Sequence, residues 1–322
     1  MKAIRVQKPG GREVLEYTDI PQPRPELGQV LVAIDFAGVN FFDVYQRAGH
    51  YPIAMPFTLG TEAAGSVLAV GPEVADFREG DRVVYQGVQG AYAERAVVSA
   101  DRLIRLPEAI STRTAAALIL QGLTAHYLAT STYALKSGDT ALVHAAAGGV
   151  GLLLCQIAKL RGAMVIGTVS TEQKAVLARQ AGADHVILYT QQDFVAETRR
   201  LTDNRGVEVV YDSVGRTTFD HSLNCLAPRG LMALFGQSSG PVPPVNPQTL
   251  NQKGSLYLTR PTLANYAATR AELLSRAGEL FEWVREQKLS VRVDREVPLQ
   301  QVAEAHRALE SRETTGKVLL KP

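Results

Sequence analysis

Apolar residues in the first third of the chain alternate with polar ones in short runs that glycine and proline interrupt. The runs lie at 30–34, 65–70, 81–85 and 91–98. A period of two is typical of half-buried strands. Pro21, Pro23 and Pro25 cannot lie inside a sheet, so they mark an exposed connection. Residues 1–110 therefore predict a strand-rich domain with few helices.

From about Thr124 the pattern changes to an alternation of strands and helices. Continuous apolar runs predict buried strands at 140–145, 164–169, 185–188, 207–211 and 231–235. Helices are predicted between them, at 150–160, 172–180, 193–201 and 217–226. Apolar strands separated by helices indicate a parallel sheet covered on both faces. We therefore predict an α/β fold with a doubly wound, Rossmann-type sheet.

The last part of the chain predicts a return to the first domain. One more apolar strand runs from Ser255 to Thr259, a long amphipathic helix spans 271–287, and a final strand covers 316–320. We predict a discontinuous strand-rich domain made of residues 1–123 and 263–322, with the nucleotide-binding domain, residues 124–262, between its two parts.

Composition gives no sign of a nucleic-acid or membrane partner. The 34 basic and 32 acidic residues are mixed along the chain, so nothing favours nucleic acid or an anionic membrane. The two cysteines, Cys155 and Cys225, lie in apolar contexts and are predicted to be buried thiols. The start of the chain alternates like a strand and has no signal-peptide pattern. We expect a cytoplasmic protein.

A glycine-rich turn carries the strongest chemical signal. Residues 143–151 read Val-His-Ala-Ala-Ala-Gly-Gly-Val-Gly, where a strand runs into small residues and a helix follows at once. Gly148 and Gly149 would let the backbone approach a pyrophosphate, while the helix start at Ala147 and Val150 offers free N–H groups. Gly151 would allow close helix packing. The spacing departs from G-x-G-x-x-G, and a purely structural turn is the alternative.

The end of the second strand indicates which nucleotide binds. An NAD site places an acid about 20 residues past the glycines, on the ribose 2′-hydroxyl. Here Ser170 stands at that position and Lys174 follows one helical turn later. A hydroxyl and an ammonium suit a 2′-phosphate, so NADPH is favoured. Glu172 is the possible acidic competitor.

No metal site is predicted. Residues 60–65, Gly-Thr-Glu-Ala-Ala-Gly, resemble the G-H-E-x-x-G segment of zinc-dependent alcohol dehydrogenases, with Thr61 in place of the zinc-binding His. Asn40 stands where those enzymes place a zinc-ligating Cys. Glu62 and Asp43 remain, but they have no thiolate or imidazole partners at those positions. The four clustered cysteines of a structural zinc lobe are also missing after Tyr85.

Taken together, these segments resemble the zinc-independent quinone oxidoreductases of the zeta-crystallin type, in the medium-chain dehydrogenase/reductase superfamily. The resemblance extends over essentially the whole chain. Matching segments lie at 38–45, 60–65, 144–151, 211–215, 235–240 and 250–256. It implies a GroES-like catalytic domain, a Rossmann NADPH-binding domain, and a homodimer formed through the edge strand near Ser255 and Thr259.

The resemblance also implies site residues. Asn40 and Tyr45 would lie near the nicotinamide, and Arg260 at the rim of the cleft. The adenosine end with its 2′-phosphate would have Ser170, Lys174, Tyr189 and Arg312. The remaining cofactor-binding residues would be Thr124, Ala147, Gly148, Gly149, Val150, Gly167, Ser213, Phe235, Gly236 and Ser238.

Without a metal to polarise an alcohol or aldehyde, the favoured acceptor is one that is already electrophilic. The expected reaction is reduction of a quinone by electron or hydride transfer from NADPH. Asn40 is expected to orient the ribose or the acceptor carbonyl, and Tyr45 or Tyr51 to donate a hydrogen bond or a proton. Two alternatives remain: an NADPH-dependent reductase of α,β-unsaturated carbonyls, and a nucleotide-regulated RNA-binding or structural protein.

Overall fold

The computed structural model describes residues 1–322. Its strands are β1 (Lys2–Val6), β2 (Glu16–Asp19), β3 (Gln29–Val39), β4 (Phe57–Thr58), β5 (Glu62–Val70), β6 (Arg82–Gln86), β7 (Arg95–Ser99), β8 (Ile104–Arg105), β9 (Thr140–Val143), β10 (Met164–Val169), β11 (His185–Leu188), β12 (Val207–Asp212), β13 (Leu226–Leu234), β14 (Tyr257–Thr259), β15 (Val293–Pro298) and β16 (Lys317–Lys321). Its helices are α1 (Phe41–Arg47), α2 (Thr112–Tyr127), α3 (Gly149–Leu160), α4 (Glu172–Gln180), α5 (Phe194–Leu201), α6 (Phe219–Cys225), α7 (Pro247–Gln252), α8 (Leu263–Tyr266), α9 (Arg270–Arg285) and α10 (Val302–Glu310).

The first of two compact units is strand-rich. It contains Met1–Leu120, Thr269–Arg285 and Val291–Pro322. A seven-stranded sheet has the order β15-β16-β3-β5-β6-β8, with β7 also paired to β3, and a smaller sheet has the order β2-β1-β4. Valine, isoleucine, leucine and tyrosine side chains from these strands form its core. The predicted strand-rich domain is confirmed.

The second unit contains Gln121–Ala268 and Glu286–Ser290. Its six strands are all parallel, in the order β11-β10-β9-β12-β13-β14. The chain moves outward from β9 to β11 and then returns to the other side of β9 with β12. This reversal defines the doubly wound fold and confirms the prediction. A second apolar core lies within this unit.

Several elements differ from their predicted bounds. Strand β13 begins at Leu226 rather than at residue 231, because its pairing with β12 shifts register and absorbs Arg229 in the left-handed region, at φ 63°. Helix α6 is accordingly shorter than predicted. Strand β14 begins at Tyr257, two residues later than predicted. Helices α2 and α10 had no predicted counterpart.

Both cysteines are buried free thiols, as predicted. No helix combines the length and the apolar character needed to span a membrane.

Candidate functional site

The carboxyl ends of the six parallel strands form one edge of the second unit, and most predicted cofactor residues follow directly after a strand there. They are Ala147, Gly148, Gly149 and Val150 after β9, Ser170 after β10, Tyr189 after β11, Ser213 after β12, Phe235, Gly236 and Ser238 after β13, and Arg260 after β14. Open α/β sheets bind ligands at this edge, beside the strand where the order reverses. Gly167 lies within β10 and Thr124 within α2.

Two glycines in and after the turn between β9 and α3 have different roles. Gly148 is the N-cap of α3, and no side chain caps that helix. A Cβ at Gly148 would meet only the Ala145 carbonyl oxygen, at 3.2 Å, so its other sides are open. A Cβ at Gly151 would lie 2.3 Å from the same oxygen and 2.8 Å from the Ala146 Cα. Gly148 therefore leaves room for a ligand, and Gly151 lets the helix pack against the turn.

The end of β10 carries the residues predicted to select NADPH. Ser170 is half-buried, and α4 begins just beyond it, capped by the Thr171 hydroxyl, which accepts from the Lys174 N–H at 3.3 Å. The competing carboxylate of Glu172 is paired with Arg179 on its own helix, at 2.9 Å. Glu172 is thus held by a cation of the same helix, and Ser170 directly follows the strand.

Two neighbouring turns are joined at the ends of β12 and β13. The Phe235 N–H donates to the Asp212 carbonyl at 2.9 Å, and the Ser238 N–H donates to the Ser213 carbonyl at 3.1 Å. A Cβ at Gly236 would lie 2.5 Å from the Ser213 carbonyl oxygen, so only glycine allows this approach. Ser213, Phe235, Gly236 and Ser238 therefore lie on two adjoining turns within the second unit.

Arg260, after β14, extends this surface. Its guanidinium donates to the Leu234 carbonyl at 3.0 Å, at the end of β13. Tyr189 is 40% exposed on the other side, next to the end of β10, and its N–H donates to the Val169 carbonyl at 3.1 Å. The sheet edge thus carries predicted residues from β11 across to β14.

A buried row of polar side chains underlies this edge, and sequence reasoning did not identify it. His144 contacts Thr168 Oγ1 at 2.8 Å through Nδ1 and Ser222 Oγ at 2.9 Å through Nε2. Ser222 in turn donates to Asp212 Oδ2 at 3.0 Å. Burial lowers the pKa of His144, so the imidazole is neutral. The sequence does show a polar residue at or near the end of three apolar runs, namely His144, Thr168 and Asp212, and this was the signal that could have identified the row.

In the first unit, a buried lysine ammonium group contacts two of the residues in the region that resembles a zinc site. Lys317 is 1% exposed, and its Nζ forms an ion pair with Glu62 Oε2 and donates to Asn40 Oδ1 at 2.8 Å. The other Glu62 oxygen accepts from the Leu120 N–H at 2.7 Å. A Cβ at Gly38 would collide with both charged groups. The sequence had not indicated Lys317.

These contacts fix the direction of the Asn40 amide. Lysine has only donors, so the atom facing Lys317 is the amide oxygen. The Asn40 Nδ2 donates to Glu62 Oε2 at 2.9 Å and to the Gly38 carbonyl at 3.3 Å, which uses both of its hydrogens. The expectation that Asn40 orients the ribose or the acceptor carbonyl remains a prediction.

Asp43 lies next to this group and accepts three hydrogen bonds. Its donors are the Asn40 N–H at 2.8 Å, the Tyr92 hydroxyl at 2.9 Å and the Thr61 hydroxyl at 3.4 Å. Complete burial nevertheless raises the pKa of Asp43 to about 7, and the donors oppose that rise. The Tyr92 hydroxyl also contacts His306, which is in turn hydrogen-bonded to buried Arg47 at 3.0 Å.

Tyr45 and Tyr51 belong to a group of aromatic rings on and after α1. Their ring centroids are 6.1 Å apart, and Phe42 lies 5.2 Å from Tyr51. Phe42 is 38% exposed, so the group presents aromatic surface to solvent. Arg312 also lies in the first unit, after α10, in the left-handed region at φ 60°. Its predicted role at the adenosine end remains a prediction.

No group of three or more histidine, cysteine, aspartate or glutamate side chains is placed to hold a metal ion.

A doubly wound sheet with a glycine turn at its switch point, together with a separate strand-rich unit, defines a nucleotide-dependent dehydrogenase or reductase of the medium-chain class. Family models agree in both parts of the chain. Residues 26–108 match the alcohol dehydrogenase GroES-like domain, and residues 149–275 match the zinc-binding dehydrogenase family.

Similar proteins narrow the class further. A quinone oxidoreductase from Pseudomonas aeruginosa is 47% identical over 100% of this chain and 99% of its own. The crystal structure of Escherichia coli quinone oxidoreductase complexed with NADPH has a TM-score of 0.98, with 47% identity and full coverage of both chains. A Burkholderia 2-haloacrylate reductase is 40% identical over 99% of this chain and 98% of its own. The chain belongs to the quinone oxidoreductase family of the medium-chain dehydrogenase/reductase superfamily.

Proposed function

We propose that the protein is an NADPH-dependent quinone oxidoreductase that works without zinc. The observation that carries this proposal is the sheet edge of the second unit. There the glycine turn has open space at Gly148, and Ser170 stands in place of the acidic residue of an NAD site, with Lys174 one helical turn later. Relatives of the same family support it, because the E. coli enzyme has been solved with NADPH bound.

The residues present fit NADPH, which supplies the hydride when bound. The first turn of α3, from Gly149 with its N-cap Gly148, offers N–H groups and the positive end of a helix to the pyrophosphate. Ser170 and Lys174 are assigned to the 2′-phosphate. The joined turns at Ser213 and Phe235 are assigned to the nicotinamide end, where they would hold the ring in place.

Reversing the charge of Lys174 is expected to change cofactor selectivity. Lys174→Glu removes the cation assigned to the 2′-phosphate and adds an anion, so NADPH affinity should fall about a hundredfold while NADH affinity changes less than about threefold. Fluorescence titration of both nucleotides measures this. Lys136→Glu is the matched control, because Lys136 is an exposed lysine of the same unit that precedes β9. Equal losses for the two nucleotides in the Lys174 variant would show that the 2′-phosphate is recognised elsewhere.

The aromatic group of the first unit supports a flat acceptor. Tyr45, Tyr51 and Phe42 present ring surface, which suits the π-face of a quinone better than an aliphatic alkenal. We assign Tyr45 and Tyr51 to the acceptor, as packing surface and hydrogen-bond donors. Asn40, whose Oδ1 accepts from Lys317, stays assigned to the ribose or the acceptor carbonyl near the nicotinamide.

A second candidate function is reduction of α,β-unsaturated carbonyls, favoured by the 40% identity to 2-haloacrylate reductase. Steady-state assays with NADPH and either a naphthoquinone or an alkenal compare the two reactions directly. We expect kcat/KM to be at least about tenfold higher for the naphthoquinone. Turnover of the alkenal alone would contradict quinone reduction as the main activity.

Zinc independence rests on the side chains at the candidate metal position. An amide, a hydroxyl and an ammonium (Asn40, Thr61 and Lys317) stand there, and the ammonium already neutralises Glu62. A cation bound beside Lys317 would be repelled. Quinone reduction should therefore survive dialysis against EDTA unchanged; activity that is lost and then restored by zinc would refute this part of the proposal.

We further propose that the enzyme is a homodimer. Strand β14 is the outer strand of its sheet, paired only with β13, and Tyr257 on it is 63% exposed. Such an edge favours pairing with a second copy. Sedimentation velocity should give the mass of two chains, and the mass of one chain would contradict the homodimer.

The domain assignment is part of the proposed function: residues 1–123 and 263–322 form the catalytic domain, and residues 124–262 form the NADPH-binding domain. The cytoplasmic location remains a prediction.

A further inference from the structure

Four buried side chains connect the ends of β9, β10 and β12 with α6. They are Thr168, His144, Ser222 and Asp212, and none is more than 2% exposed. A carboxylate only accepts hydrogen bonds, so Ser222 must donate to Asp212. The Ser222 oxygen then accepts from His144 Nε2–H, and His144 Nδ1 accepts the hydroxyl proton of Thr168. Each of the three hydrogen bonds along the row therefore has a defined donor and acceptor.

Both ends of this row are next to residues assigned to NADPH. Thr168 is two positions before Ser170, in the strand that leads to the 2′-phosphate site. At the other end, Asp212 Oδ1 accepts from the Val214 N–H at 2.7 Å and from the Gly215 N–H at 3.0 Å, which shapes the turn at Ser213. His144 joins the two ends, because one ring nitrogen contacts Thr168 and the other contacts Ser222, which donates to Asp212.

We propose that His144 is a positioning residue for NADPH, whose neutral imidazole sets the spacing between the strand end before Ser170 and the turn at Ser213. This inference rests on the NADPH site proposed above. Its consequence is that a change at Thr168, which is buried beneath the sheet edge, weakens cofactor binding without altering the reacting groups.

Thr168→Val keeps nearly the same shape but leaves His144 Nδ1 buried without a donor, so it should lower stability whatever the role of the histidine. A histidine that only filled the core would leave the NADPH Kd unchanged. A positioning histidine would lose its fixed ring orientation, and the NADPH Kd would rise. The pKa of His144 is lowered by burial, in keeping with a ring that accepts at one nitrogen and donates at the other.

The test compares three variants by NADPH titration and steady-state kinetics. Thr168→Val should raise the NADPH Kd about tenfold and leave kcat at saturating NADPH within about twofold. Thr168→Ser keeps the hydroxyl and should restore wild-type affinity. Thr202→Val is the matched control, because Thr202 is a buried threonine of the same unit, before β12, whose hydroxyl donates to the Thr198 carbonyl at 2.8 Å. It should lower the melting temperature and leave the Kd unchanged.

Each outcome decides a specific point. Wild-type affinity in Thr168→Val, or an equal rise of Kd in the Thr202 control, would overturn the inference and leave the proposed function standing. A wild-type chain that binds no NADPH would overturn the proposed function and this inference together. If Thr168→Val does not fold, Ser222→Ala tests the same row, since Thr218 still donates to Asp212 at 2.6 Å. NMR of ¹⁵N-labelled histidine should show the proton of His144 on Nε2; a proton on Nδ1 would also overturn it.

Discussion

Replacing Lys317 with methionine is expected to lower the free energy of unfolding by about 3–5 kcal/mol, because it leaves the Glu62 carboxylate buried without its cation. Glu62 is fully buried and keeps only the Asn40 amide and the Leu120 N–H as partners. The Asn40 oxygen also loses its donor, although Glu62 and the Gly38 carbonyl still accept from the Asn40 Nδ2. Quinone reduction should fall together with stability.

Two further variants show whether the unpaired charge is the cause. Glu62→Gln combined with Lys317→Met removes both charges and should recover part of the lost stability. Lys321→Met changes an exposed lysine of the same strand, β16, and should have little effect. Urea unfolding followed by circular dichroism measures all three. A Lys317→Met protein as stable as wild type would contradict the described ion pair.

The two glycines at the start of α3 should respond differently to alanine. Gly148→Ala would place its Cβ 3.2 Å from the Ala145 carbonyl oxygen, which must shift slightly. Because the backbone is extended, at φ −79° and ψ 173°, we expect a loss of less than about 1 kcal/mol of stability. The added methyl group would stand where the pyrophosphate approaches, so NADPH affinity should fall about a hundredfold. Gly151→Ala overlaps backbone atoms of Ala145 and Ala146, and should cost about 1–3 kcal/mol of stability.

Calorimetry for melting and fluorescence titration for NADPH separate these effects. The Gly148 variant should melt close to the wild-type temperature while losing affinity for NADPH, and the Gly151 variant should melt clearly lower. Gly148→Ala that binds NADPH with wild-type affinity would mean that the nucleotide does not pass close to this turn.

The sequence was sufficient to predict the parallel sheet and one edge of the candidate site. Strands β9 to β12 and the second half of β13 are largely apolar runs, and short apolar runs between turn or helix signals predict buried strands. Since parallel strands end at one edge, residues following each run, such as Ser170 and Ser213, could be assigned to a common surface without any contact being known. The confirmed fold and the proposed cofactor surface follow from that local pattern.

The buried polar groups could not be predicted, because their partners are distant in the chain. Lys317 is 277 positions from Asn40, and alternation in the last strand indicates a strand but not that its first lysine faces inward. Similarly, His144 is 78 positions from Ser222, and only the folded sheet shows that the two meet.

Helix α2 was missed for a different reason. It is apolar around almost its whole circumference and contains Gly122, so it lacks the one-sided pattern by which a surface helix is identified. The extra residues at the start of β13 include Pro228 and Arg229, which on local grounds favour a turn rather than a strand.

A crystal structure of the protein with NADPH tests the central claim most directly. We predict that the pyrophosphate lies against the N–H groups of Gly149 and Val150, and that the 2′-phosphate is bound by Ser170 and Lys174. A nucleotide bound with its 2′-phosphate away from both of these side chains, or with its pyrophosphate away from the start of α3, would contradict the account.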